Sequence, residues 1–84
     1  MESLADIAVF VQVVDDGSFT AAAERLSMSK SVVSRHVSRL EDRLGARLLN
    51  RTTRRLSLTE VGRALYERSR HGLKEIEDAE AEVS

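Results

Sequence analysis

Apolar residues recur at helical spacing over the first part of the chain, which predicts an amphipathic helix over residues 3–16. The residues on its apolar side are Leu4, Ile7, Ala8, Val11 and Val14. The segment Asp15-Asp16-Gly17 then supplies a helix end, because glycine is common immediately after a helix. The apolar side of this helix needs a partner elsewhere in the chain.

Two further helices are predicted, and each begins at a serine. The hydroxyl of Ser18 can accept a backbone N–H from a short, alanine-rich second helix. After a tight turn at residues 27–28, Ser29 can cap a third helix that runs to Leu44. Gly45 then ends the third helix, since glycine readily adopts the left-handed conformation found at helix C-termini.

The helical period fails from Arg47 onwards, where two short runs follow each other. The runs RLLNR and RLSLT flank Thr52-Thr53-Arg54 and predict a two-stranded hairpin with a basic tip. Thr59 then opens a long final helix, in which apolar residues keep roughly seven-residue spacing. These elements predict a mainly α fold, in which residues 1–58 form a compact domain and residues 59–84 form a linker helix.

The composition limits the class of protein. Eighty-four residues, of which 42% are hydrophobic, suffice for one small core. The chain has no cysteine, so disulfides and thiolate-bound metals are excluded. No apolar stretch approaches the roughly 20 residues of a membrane span, and the N-terminus lacks the basic region of a signal peptide. We therefore expect a soluble, intracellular protein without a cofactor.

The net charge of -1 conceals a strong segregation of charge along the chain. Residues 1–24 carry five acidic side chains and no lysine or arginine, whereas residues 25–55 carry nine lysines or arginines and two acidic side chains. Residues 56–84 are again acidic, with four basic and seven acidic side chains. Phosphate binding depends on a local basic surface and not on the average charge, so the middle third is the candidate for binding nucleic acid.

The third helix combines a core side with an unusual polar side. The core side consists of Val33, Val37, Leu40 and Leu44, and the polar side of Ser31, Ser34, Arg35 and Ser38. Small hydroxyl side chains let a helix lie deep in a major groove, and the arginine fork can reach O6 and N7 of guanine. Considered alone, the same helix is also consistent with an ordinary serine-rich surface.

The neighbouring elements favour the first interpretation. The second and third helices with their tight turn form a helix-turn-helix, whose second helix enters the major groove of DNA. The basic hairpin follows directly, where a wing would place Arg54 at the adjacent minor groove. Arg51 is a weaker candidate, either within the hairpin or at a phosphate. The polar side of the third helix, the helix-turn-helix arrangement and the basic hairpin thus all indicate double-stranded DNA as the partner.

Three segments in this order, GSFTAAAERL, VSRHVSRLEDRLGARLLNRT and LTEVG, resemble the DNA-binding domain of LysR-type transcriptional regulators. The resemblance covers the whole chain. It implies a winged helix-turn-helix followed by a linker helix that pairs two subunits, in a bacterial cytoplasmic setting. Members of this family normally continue into a two-lobed effector-binding domain, of which this chain contains nothing, so ligand sensing is expected to be missing from it.

The resemblance also implies which residues contact DNA. The implied positions are Lys30, Ser31, Ser34 and Arg35 in the recognition helix and Arg54 in the wing. Many family members have Gln-Pro where this chain has Lys30-Ser31, so a glutamine contact to a base is not expected here. A lysine at the start of the helix can still reach a phosphate or a guanine.

The final helix is predicted to pair two copies of the chain. Its apolar side is formed by Leu65, Gly72, Leu73, Ile76 and Val83. A lone helix would leave this side in water, so burial against a second copy is expected. The resulting homodimer would bind an inverted repeat, and the full-length protein could extend it to a tetramer. The alternative is a protein–protein interaction module that acts through this acidic helix.

Other polar residues are expected to have structural roles. The arginines expected to pair with Glu41 and Asp42, or to stay solvated, are Arg39, Arg43 and Arg47. His36 and His71 are expected at the surface or near a phosphate, because no cluster of metal-ligand spacing accompanies either of them. The isolated histidines offer no nucleophile with a partner base, so we expect neither a metal site nor an enzyme.

Overall fold

The computed structural model of the chain describes residues 2–51 and 55–84. Within these ranges the elements follow the predicted order and confirm a mainly helical fold with a short hairpin. They are α1 (Glu2–Asp16), α2 (Phe19–Leu26), α3 (Lys30–Leu44), β1 (Leu49–Arg51), β2 (Leu56–Leu58) and α4 (Glu60–Val83).

The predicted helix starts are confirmed by side chains that accept backbone N–H groups. The hydroxyls of Ser18, Ser29 and Thr59 each accept the N–H three residues later, at 3.1, 3.1 and 2.9 Å. These bonds satisfy donors that the first turn of a helix leaves without a partner. Gly45 ends α3 in the left-handed conformation, with φ of 65°. Ser27 adopts the same conformation after α2, which gives the tight turn between the two helices.

Helix α1 lies at the centre of the molecule and contacts α2, α3 and α4. Its fully buried side chains include Phe10, Val13 and Asp6, which lie outside the apolar side predicted for it. Two residues of the predicted side, Ile7 and Val14, are half-buried against the same core. The prediction of a single apolar side was therefore incomplete, because α1 is enclosed by its neighbours on more than one side.

The hairpin is attached to the core by Leu48 and Leu49, which are 0% and 2% exposed. Strands β1 and β2 pair in antiparallel fashion, with Leu49 opposite Leu58 and Arg51 opposite Leu56. The paired strands are shorter than the runs predicted over residues 47–51 and 55–59. Thr52, Thr53 and Arg54 form the predicted tip and lie outside the described residues.

Helix α4 packs on the domain through its N-terminal part, as far as Leu73. Leu65, Tyr66 and Leu73 are partly buried against the core, and the Tyr66 hydroxyl donates a hydrogen bond to Asp15 of α1. That bond, together with burial, raises the pKa of Tyr66. The premise that a single copy leaves the whole apolar side of this helix in water is therefore wrong for Leu65 and Leu73. Ile76 and Val83 are 46% and 91% exposed.

Residues 2–51 and 55–84 form neither a membrane-spanning helix nor a metal-binding cluster. No helix in these ranges is long and apolar enough to cross a membrane. The same residues contain no group of three His, Cys, Asp or Glu side chains placed to hold a metal ion. His71 is exposed on α4, whereas His36 is half-buried and contacts α1.

Candidate nucleic-acid interface

Helix α3 has the buried side that the sequence predicts, except at its last turn. Val33, Val37 and Leu40 are completely buried and fix this side of the helix in the core. Leu44, which was expected to continue the same side, is 47% exposed at the end of the helix. The core therefore holds the first three turns of α3.

The opposite side of α3 carries the residues predicted to contact DNA. Arg35 is exposed and Ser34 is half-buried. Lys30 and Ser31, at the start of the helix, are also exposed. The four sequence-predicted contact residues of α3 therefore share one accessible surface at its N-terminal end.

The cations of this surface differ from the other cations of the middle segment. Within the described residues, Lys30 and Arg35 make no hydrogen bond or ion pair through their side chains. Most other cations of residues 25–51 are bound to carboxylates, as Arg25 is to Asp16 at 3.2 Å. A cation that is exposed and without an internal partner keeps its donors available for a phosphate or a base. Lys30 and Arg35 are thus the best-placed side chains of α3 for binding an anionic partner.

The buried carboxylate of Asp6 joins α1 to one flank of α3. Its side chain is 0% exposed, and its Oδ1 lies 2.7 Å from His36 Nδ1 and 2.8 Å from Arg39 Nη2. Its Oδ2 accepts from Arg39 Nε at 3.1 Å and from Arg43 Nη1 at 3.2 Å. A single carboxylate therefore holds side chains from three successive turns of α3.

These contacts explain how a carboxylate can be buried in so small a core. The pKa of Asp6 lies well below its ordinary value, and the hydrogen bond from Arg39 is the largest cause of this lowering. His36 and Arg43 act in the same direction, and they outweigh the burial, which raises the pKa. Asp6 is therefore charged at neutral pH, and its charge is compensated by the neighbouring cations.

Asp6 also corrects two expectations drawn from the sequence. Arg39 and Arg43 were expected to pair with Glu41 and Asp42 or to stay solvated, but both bind Asp6 instead. His36 donates into the same cluster rather than lying at the surface, since an ionised carboxylate can only accept. The spacing of residues 36, 39 and 43 places them on one flank of a helix, but their partner is some 30 residues away in sequence.

A second buried carboxylate, Glu41, joins the opposite flank of α3 to the hairpin. Its Oε2 accepts the backbone N–H groups of Leu48 at 2.8 Å and Leu49 at 3.4 Å. Its Oε1 lies 3.2 Å from Arg51 Nη2 and 3.7 Å from Arg47 Nη1, which confirms the expected pairing of Arg47 with Glu41. These bonds fix the start of β1 relative to the helix.

We expect Glu41→Gln to lower the free energy of unfolding by about 1–3 kcal/mol, the cost of leaving buried polar groups without good partners. Glutamine keeps the size of the side chain but offers one acceptor oxygen, and its amide N–H groups would face Arg51. Urea unfolding monitored by circular dichroism measures the change. Asp42→Asn, an exposed neighbour, serves as the control and should change stability little. Equal stability of Glu41→Gln and the parent would contradict the structural role of the charge.

The hairpin cations occupy different environments. Arg51 is held by Glu41 and lies over the ring of Phe19, with its Cζ 5.5 Å from the ring centroid. Arg54 lies outside the described residues. Arg55 is exposed and, among the described residues, makes no hydrogen bond or ion pair. Sequence reasoning missed Arg55 as a candidate, although its position beside Arg54 in a basic run was a usable signal.

The exposed part of α4 contains three of the five residues predicted for dimerisation. Gly72 has open space on its outer side, because no neighbouring atom lies within 4 Å of the point that a Cβ would occupy. Ile76 and Val83 follow on the same side of the helix, four and eleven residues later. Leu65 and Leu73 contact the chain's own core instead. The surface of α4 that is open to a partner is therefore centred on Gly72 and Ile76.

The geometry defines a class of protein. A helix-turn-helix whose second helix presents exposed, unpaired cations, followed by a hairpin, is the arrangement of a winged helix-turn-helix DNA-binding domain. Residues 4–63 match the family model described as "Bacterial regulatory helix-turn-helix protein, lysR family". The chain belongs to this family and is a LysR-type DNA-binding domain of a transcriptional regulator. The predicted family resemblance is confirmed, and this class of domain is not an enzyme.

Known relatives support the assignment over nearly the whole chain. The regulator CrgA of Neisseria meningitidis serogroup B is 55% identical over 78 residues, which is 93% of this chain and 26% of CrgA. The transcriptional activator AaeR of Escherichia coli K12 is 49% identical over 83 residues, 99% of this chain and 27% of AaeR. The chain thus spans about a quarter of the length of these curated relatives.

Solved structures agree with the fold. The DNA-binding domain of BenM, in a complex with catB site 1 DNA, superposes with a TM-score of 0.90 at 31% identity. That match covers 95% of this chain and 89% of the BenM domain. The structure of CrgA matches with a TM-score of 0.79 at 54% identity, over 94% of this chain and 27% of CrgA. The winged helix-turn-helix architecture predicted from the sequence is confirmed.

Proposed function

We propose that this chain binds double-stranded DNA sequence-specifically as a homodimer, in the cytoplasm of a bacterium, for a LysR-type regulator. The observation that carries the proposal is the accessible N-terminal end of α3, where Lys30 and Arg35 make no internal hydrogen bond or ion pair among the described residues. The complex of the similar BenM domain with DNA supports the same class of partner. Residues 1–58 bind the duplex and residues 59–84 link the subunits.

In this proposal α3 enters the major groove with its serine-rich side towards the bases. Ser31 and Ser34 are short enough to let the backbone approach the groove, and Arg35 extends to the guanine edge. Lys30 stands at the first turn of α3, where it reaches a phosphate or a guanine. Each of these roles follows from exposure and chemistry on one surface of the helix.

The hairpin acts as the wing at the adjacent minor groove. Arg54 at its tip is proposed to enter the groove, where the negative potential attracts a guanidinium group. Arg51 is held against Phe19 and Glu41, which suits a role in orienting the wing as well as a contact to a phosphate. Arg55 is exposed immediately before β2 and adds a further phosphate contact.

We expect Arg35→Ala to weaken binding to the preferred DNA sequence by about 1–3 kcal/mol, because it removes a bidentate hydrogen-bonded contact to a base. Binding to unrelated DNA should change much less. Fluorescence anisotropy with duplexes substituted one base pair at a time measures both effects and identifies the base pair that Arg35 reads. Arg68→Ala, which removes an exposed arginine of α4, is the matched control. An equal loss on every duplex would make Arg35 a phosphate contact instead.

A second function is supported by the charge of α4. Its last two turns carry Glu77, Asp78, Glu80 and Glu82 and are exposed, which suits an interaction with a protein and not with DNA. The two functions separate by their partner, because binding of DNA through α3 is tightest at low salt, whereas the acidic end of α4 repels the phosphates of DNA. If the chain does not bind DNA even at low salt, the result would favour the protein-interaction module alone.

A further inference from the structure

The DNA-facing side of α3 is bounded by the two buried carboxylates described above. With Arg35 as the origin and about 100° per residue, Arg39, Arg43 and His36 lie at about 40°, 80° and 100° around the helix. Glu41 lies on the other flank, at about −120°. The serine-rich side lies between these two flanks. The DNA-facing side is therefore flanked by one buried carboxylate on each side.

Apolar packing fixes which side of α3 faces the core, but it defines the angle of the helix less sharply than directional bonds do. Val33, Val37 and Leu40 hold α3 against the core, but hydrophobic burial has no preferred direction. Charge-assisted hydrogen bonds are directional, and an arginine fork on a carboxylate fixes orientation as well as distance. The Asp6 contacts span residues 36 to 43, which is two full turns of α3. They therefore add a directional resistance to rotation and sliding of the helix to the resistance that the aliphatic side chains provide.

We infer that Asp6 is a positioning residue for DNA recognition, which acts through α3 by fixing the rotation of that helix about its axis. The inference rests on the proposed function, in which Ser34 and Arg35 face the bases. Asp6 is completely buried beneath α3, so it touches no DNA itself. Its effect is on the choice of sequence, because a rotation of α3 misaligns base contacts but leaves phosphate contacts, which tolerate many geometries, largely intact.

The distinguishing measurement is the ratio of affinities for specific and unrelated DNA. The specific duplex is the one that the parental 84-residue chain enriches from a random pool, and the unrelated duplex is its scrambled sequence. For Asp6→Asn we expect this ratio to fall on the order of tenfold, comparable to losing one bidentate base contact. Affinity for the scrambled duplex should be unchanged or higher, since the variant loses one negative charge. Both affinities are measured at a temperature at which circular dichroism shows the variant fully folded.

Asp15→Asn is the matched control. It removes the same charge from the same helix, but Asp15 is exposed and contacts Tyr66 of α4 instead of α3. Its ratio should equal that of the parent. A ratio that falls equally in both variants would attribute the effect to overall charge and would overturn the positioning role.

A second variant decides the matter if Asp6→Asn does not fold. Arg39→Lys keeps the positive charge beside Asp6 but loses the bidentate contact. It should therefore lower the ratio of specific to scrambled affinity while leaving affinity for scrambled DNA unchanged. If whichever of the two variants folds has the same ratio as the parent, the positioning role is overturned, but the proposed function is not. If the parental chain enriches no sequence at all, the proposed function itself fails, and the positioning role fails with it.

Discussion

Gly62→Ala is expected to destabilise the chain by about 3 kcal/mol or more, at or beyond the upper range for overpacking a protein interior. A Cβ atom at this position would lie 2.0 Å from the carbonyl oxygen of Leu48 and 2.9 Å from its carbonyl carbon. Both atoms belong to backbone, so no side-chain rotation relieves the clash. Against a total stability of roughly 4–13 kcal/mol for a domain of this size, the loss is large.

The surroundings of Gly62 explain why the backbone cannot simply move away. The same Leu48 oxygen accepts the N–H of Thr59 at 3.0 Å, and the Thr59 hydroxyl donates to the carbonyl of Arg47 at 2.7 Å. Thr59 in turn accepts the N–H of Gly62. A shift of α4 would break this junction between the helix and β1. The substitution is therefore also expected to disturb the angle at which α4 leaves the domain.

Gly72→Ala is the matched control in the same helix. No neighbouring atom lies within 4 Å of the added methyl group, and alanine favours a helix over glycine by about 0.5–1 kcal/mol. Thermal unfolding of both variants, below the concentration at which the chain self-associates, measures the difference. Two variants of equal stability would show that the contact between Gly62 and Leu48 relaxes without cost.

Local signals in the sequence predict much of this fold. The caps at Ser18, Ser29 and Thr59 and the stop at Gly45 act through hydrogen bonds and backbone angles within a few residues, so they can be recognised without knowing the tertiary structure. The exposed side of α3 follows from the same short-range periodicity. These features include Arg35 and most of the candidate site.

The contacts that orient the site are of a different kind and were not predictable from local pattern. Asp6 stands in an amphipathic helix, where an acidic residue normally indicates the solvent side. Its burial depends on Arg39 and Arg43, more than 30 residues later in the chain. Similarly, Leu73 continues an apolar side that suggests a dimer, yet it packs on its own domain because α4 folds back against α1.

That packing determines which residue of α4 should be changed to test the dimer. Leu73→Asp would damage the core of the single chain, so it cannot separate folding from association. Gly72, Ile76, Ala79 and Val83 instead recur at spacings of four, three and four residues on the exposed side, the pattern of a helix that pairs with another helix. Gly72 would allow the two backbones to approach closely where they cross.

Ile76→Asp is therefore expected to give a folded monomer, because an aspartate at a helix–helix contact would be removed from water without a partner. Two linked half-site contacts strengthen binding by about 10²–10⁴-fold over one, so affinity for an inverted repeat should fall by that factor. Affinity for a single half-site should be unchanged. Ala81→Asp places the same charge on the opposite, exposed side of α4 and should leave both properties as in the parent. Sedimentation equilibrium measures the oligomeric state, and DNA titration measures the two affinities. An Ile76→Asp variant that remains dimeric would show that the dimer interface does not lie on this surface of α4.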